Sequence, residues 1–154
     1  MIQRIQTLYL LIVAVLLAVM LFVPLAWFSS EAGEFELYAF SLQSADGSVA
    51  QSAIYMGILI ILSAVLPLLT IFLYRRRLLQ IRLCVVEMVF LVGSVIMEAV
   101  YYFLSRRVFS ELALHNQGFK PAIALPIVAL FFTFLAVRAI FRDEMLVRSA
   151  DRIR

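Results

Sequence analysis

RLCVVEMVFLVGSVIMEAVYYF, residues 82–103, decides the fold. The stretch is long and apolar enough to cross a bilayer, which takes about 20 residues. Yet it carries two carboxyls, Glu87 and Glu98. A charge inside hydrocarbon is expensive, so it marks either a functional site or a defined ion pair. Backbone groups in lipid must bond within their own segment, so such a stretch is a helix.

Three more runs of this kind surround it: residues 8–28, 54–74 and 121–141, with the first taken at 82–104. The chain of 154 residues is 65% hydrophobic, against roughly 45–50% in soluble domains. The sequence therefore predicts one all-α membrane domain, a four-transmembrane-helix bundle. The apolar run after Arg4 exceeds the roughly 7–15 residues of a signal-peptide core, and SEA at 30–32 is a poor cleavage site, so it reads as a span.

Basic residues orient the bundle. Arg4, Arg75, Arg76, Arg77, Arg82, Arg138, Arg142, Arg148, Arg152 and Arg154 fall on one side, and Arg106, Arg107 and Lys120 on the other. The positive-inside rule puts both termini in the cytoplasm. The first outer loop, 29–52, holds Glu31, Glu34, Glu36 and Asp46 and no basic residue. Within it EFELYAFSLQ alternates polar and apolar positions and ADGS follows as a turn, which predicts a small β-hairpin on the outer mouth. The second outer loop, 105–120, spaces Val108, Phe109, Leu112 and Leu114 more like a helix.

The charges inside the spans are the candidate sites. Glu87 and Glu98 are eleven residues apart in the third span and share one helical face. Spans three and four are antiparallel, so Glu87 and Arg138 fall at equal depth, about 9–10 Å from the midplane. A structural Glu87–Arg138 ion pair is the preferred reading, with Arg82 or Arg4 as substitute partners. Loss of one member would cost on the order of 3–5 kcal/mol. Glu98, with Tyr102 at i+4 and Arg106 two turns on, forms a candidate polar site. Its bland reading is a structural contact, and its sharp one is a proton or cation site.

Little else carries chemistry. Cys84 is the only cysteine, so no intrachain disulfide forms, and His115 is the only histidine. No metal, phosphate-loop or acyl-transfer motif is present, so no cofactor and no catalytic residue is expected. The net charge is +3, but the positives sit at span ends without interleaved aromatics, which excludes nucleic acid. The tail, 142–154, reads FRDEMLVRSADRIR from Phe141. Leu146, Ala150 and Ile153 make one helical stripe, so a cytoplasmic helical tail should continue span four. Leu146, Arg148, Asp151, Arg152 and Ile153 are the candidate partner-docking residues.

Both ends carry a resemblance. MIQRIQTLYLL at the start and RDEMLVRSADRIR at the end resemble the hallmarks of a family of four-helix inner-membrane proteins from Bacteroidota, domain of unknown function 4293. The likeness covers the whole chain and implies location and topology. It carries over no activity, cofactor or catalytic residue. The layout is also similar to claudin-type tetraspan proteins, although paired cysteines and the tryptophan-glycine-leucine-tryptophan signature are absent from the first outer loop.

The leading expectation is a non-enzymatic accessory, assembly or scaffold subunit. Its partners would be the lipid bilayer and other membrane-protein subunits, or further copies of itself. The alternatives are a small proton- or ion-coupled transporter using Glu98 and Glu87, and a membrane enzyme of unrecognised type.

Overall fold

Residues 77–108 form one unbroken helix, α3 (Arg77–Val108), in the computed structural model, which describes residues 3–31, 33–73, 76–108 and 114–151. No proline interrupts α3, and its single glycine, Gly93, has a side-chain neighbour no closer than ordinary contact. Around it stand α1 (Gln3–Met20), α2 (Ile54–Phe72) and α4 (Leu125–Asp151). Each helix packs on two others, in the ring α1–α2–α3–α4 and back to α1. Three of the four, α2, α3 and α4, are long and apolar enough to cross a membrane, and α1 contains a shorter apolar helix, Ile5–Met20. Their outer faces expose large apolar side chains such as Phe72, Val89 and Phe131. Apolar exposure on that scale is compatible with a membrane protein and foreign to a surface in water.

The first expected span, 8–28, is too long. Helix α1 ends at Met20, and the chain turns through Leu21 and Phe22 into strand β1 (Ala26–Ser30). Pro24 disfavours helix at the residue before it. The residues after it are apolar because β1 is an interior strand, with Ala26 and Phe28 fully buried. A buried strand and a buried helix read alike in a continuous apolar run.

The expected hairpin is the middle of a larger sheet, so the all-α class needs correction to a mostly helical one with a small antiparallel sheet. Strands β2 (Gly33–Leu37), β3 (Ser41–Ser44), β4 (Val49–Ser52) and β5 (Leu114–Phe119) join β1 in the order β4-β3-β2-β1-β5. The ADGS turn lies between β3 and β4 as expected, with Gly47 at φ +78°, a conformation glycine adopts freely. Strand β5 comes from the second outer loop, which the sequence suggested was helical. Its polar run HNQG survives as a strand because β5 pairs along β1, Trp27 opposite Gly118 and Phe28 opposite Gln117. Phe109 and Leu112 of that expected helix lie outside the described residues.

One face of the sheet, with Ala26, Phe28, Leu37 and Leu42, closes on Leu17, Met20, Met56, Ile60 and Tyr102 in a single core. The sheet thus plugs one end of the bundle. It is pinned to α2 by Phe40, whose ring covers Gly57 so closely that a Cβ there would sit 2.3 Å from it. A second, smaller core of Leu10, Cys84, Ala136 and Ile140 lies towards the other end. There α4 runs on without a break past residue 142, so the tail does continue the last apolar helix.

Candidate functional site

Glu87 points into the bundle and is fully buried. Its Oε1 accepts a hydrogen bond from Thr133 Oγ1 of α4 at 3.3 Å, and its Oε2 has no partner among the described residues. The same hydroxyl lies 3.0 Å from the Ala129 carbonyl, so one hydrogen is shared between two acceptors. The expected Glu87–Arg138 pair does not form. Arg138 is exposed and lines a groove of about 440 Å3 with Ile5, Tyr9 and Arg142. Equal depth is not enough for contact. Arg138 stands five residues past Thr133, about 140° further around α4 at 100° per residue, so it faces away from α3. Arg82 is likewise exposed.

Glu98 is 3% exposed, and its Oε1 has no hydrogen-bond partner among the described residues. One turn on, Tyr102 is buried against Phe28 and Phe119, with ring centroids 5.3 and 4.4 Å away. Glu98 and Tyr102 share a groove of about 310 Å3 with Ala99, Phe103, Phe119 and Ile127. Arg106 is exposed and is not part of that groove. The structure thus assembles two of the three residues of the expected polar site and replaces the cation with aromatic rings. The two carboxyls lie about 16 Å apart along α3, with Leu91 and Ser94 buried between them.

At the far end of the bundle is a polar cluster that was not singled out from the sequence. Gln6 Nε2 donates to Asp143 Oδ2 at 2.6 Å, and both residues are buried. Arg77 donates to the Asp143 backbone carbonyl at 3.2 Å, and Gln80 Nε2 to the Thr70 carbonyl at 2.9 Å. Gln6 belongs to the opening motif and Asp143 to the closing one. The two stretches that looked distinctive in sequence touch each other.

That contact leads to the comparison with known proteins. Residues 2–153 match the family described as Domain of unknown function (DUF4293). The chain belongs to that family. No curated protein matches it. In this DUF4293 chain the tail candidates fare unevenly. Leu146 is exposed. Arg148 and Asp151 are helical in backbone, but their side chains, like the whole of Arg152 and Ile153, lie outside the described residues. No group of three or more His, Cys, Asp or Glu able to hold a metal occurs among the described residues.

The outer face of the sheet has its own ionic contact. Lys120 Nζ donates to Glu36 Oε1, and Tyr38 OH donates to Glu36 Oε2 at 2.8 Å. The lysine, then the tyrosine, hold the Glu36 carboxyl below its usual range, while Glu36 pushes the Tyr38 phenol up. Lys120 follows β5 and Glu36 lies on β2, so the pair clamps both flanks of β1.

Proposed function

We propose that the chain is a non-enzymatic integral protein of a bacterial inner membrane that serves as an accessory or scaffold subunit of a larger complex. It would cross the bilayer four times with both termini in the cytoplasm. Helix α1, at 18 residues, spans about 27 Å, close to the roughly 30 Å of a hydrocarbon core. The ten basic residues at the tail end, against three at the sheet end, support that orientation.

One observation carries the subunit reading. Met145, Leu146 and Val147 are 52%, 51% and 43% exposed, beyond Arg142 and the Gln6–Asp143 bond. Three successive helical residues cover about 200° of the helix circumference. A solvated extension would carry one apolar stripe, whereas this turn is apolar over most of its surface and calls for a covering partner. Recovery from native membranes in mild detergent tests it, comparing the full chain with a Met145→Gln, Leu146→Gln, Val147→Gln variant. A stoichiometric partner lost in the variant is the expected result. A protein that comes out alone in both forms defeats the reading. Cutting after Arg142 is the poorer test, because it removes Asp143 from the buried cluster.

The second reading, a proton- or ion-coupled transporter, is favoured by the oxygens of Glu87 and Glu98 that no described residue satisfies. Under it Glu98→Gln folds but loses flux in reconstituted vesicles. Under the subunit reading no flux exists to lose.

A further inference from the structure

The groove at Glu98 lies between α3, β5, the 3-10 turn Pro121–Ala124 and the first turn of α4, at the opposite end of the bundle from the tail. Its volume of about 310 Å3 falls at the small end of ligand-binding cavities, roughly 300–1,000 Å3. Apart from Glu98 and Tyr102, its lining is apolar. Phe103 and Phe119 are 58% and 60% exposed, so two rings stand at the rim with Tyr102 between them. Glu98 lines the groove with a carboxyl that is nearly enclosed, and its Oε1, shut in behind that lining, has no partner among the described residues. An unpaired buried acceptor is costly, so a donor brought by a ligand recovers that cost.

We infer that this groove binds a lipophilic amine, with Glu98 accepting the ligand's N–H and the Tyr102, Phe103 and Phe119 rings holding its cationic head and apolar body. Rings around an ammonium attract it through their quadrupoles. A neutral amine meeting a carboxylic acid and an ammonium meeting a carboxylate give the same hydrogen-bonded pair. Aminophospholipids fit poorly, because no cation among the described residues lines the groove to receive their phosphate.

The test uses the full-length protein in phosphatidylcholine nanodiscs with radiolabelled 4-phenylbutylamine. Saturable binding above protein-free discs is expected, with 4-phenylbutanol a weak competitor. Glu98→Gln should weaken binding at least about tenfold, the loss of one charge-assisted hydrogen bond. Ala99→Trp, which fills the groove and leaves Glu98 in place, should abolish it. The Met145, Leu146, Val147 variant should bind the amine normally, which separates this site from the tail. Unsaturable uptake, or binding unchanged in Glu98→Gln, overturns the assignment. Should Glu98→Gln fail to fold, unchanged binding in Ala99→Trp overturns it equally. Amine-insensitive disulfide dimers of Ala99→Cys, with no amine bound, would make the groove a self-association face and overturn it as well.

Discussion

Replacing Asp143 with leucine is the most informative single perturbation of this bundle. Asp143 is 7% exposed and Gln6 6%, and their 2.6 Å bond joins residues 137 apart in sequence. Leucine removes the acceptor and leaves the Gln6 amide buried without it. The loss of a bond to a charged partner runs about 1.5–3 kcal/mol in soluble proteins. Side-chain bonds within membranes average nearer ~0.6 kcal/mol, with a maximum of about 1.7. The short distance and the burial argue for the upper part of the membrane range, about 1–1.7 kcal/mol. The Arg77 bond goes to the Asp143 backbone carbonyl, so it survives the substitution and does not inflate the cost. Gln6→Leu should cost a similar amount. The double variant removes both polar groups together and should be far less destabilised than the sum. Unfolding by detergent titration, followed through the sole tryptophan, Trp27, measures all four states of the cycle. Single costs below about 0.5 kcal/mol, or strict additivity in the double variant, would refute the claim that this bond ties the chain's two ends together.

Gly57→Ala places a Cβ within 2.3 Å of the Phe40 ring and should cost about 1–3 kcal/mol by overpacking. Phe40→Leu in the same chain should restore most of the melting temperature, and no restoration would mean the sheet is not docked through this contact. Exchanging Glu87→Arg with Arg138→Glu should rescue neither single variant in membrane expression, since the two residues face apart. Glu87→Leu combined with Thr133→Val should be close to neutral in thermal stability, because both buried polar groups leave together. The Glu36 carboxyl is held low by Lys120 and Tyr38. Its contribution is therefore present above the unfolded value of about 4.3 and is lost as pH falls through the lower folded value. Its side chain and that of Lys120 are 38% and 32% exposed, so solvent screening limits the effect to about 0–1 kcal/mol. Acid titration of melting temperature for Glu36→Gln against the parent chain should show the two curves converging below that pH.

The sequence by itself determined the number and approximate place of the apolar helices, the basic asymmetry between the ends, and the ADGS turn. Each is a local property of length, periodicity or charge count. The same local reasoning carried the helical tail, because nothing between Leu125 and Asp151 breaks a helix after Pro126. It placed Glu87 and Arg138 at one depth but not at one azimuth, because the direction in which each helix turns its faces is set by packing against two neighbours. It missed strand β5, since HNQG has no strand pattern of its own and is extended only because β1 supplies its hydrogen bonds. It also took the apolar residues after Pro24 for helix, since burial on a sheet and burial in a bundle select the same side chains. Gln6 and Asp143 could be seen only as members of two distinctive end motifs. Which long-range pairs meet is a sum over the whole packed core, and no local window holds that sum.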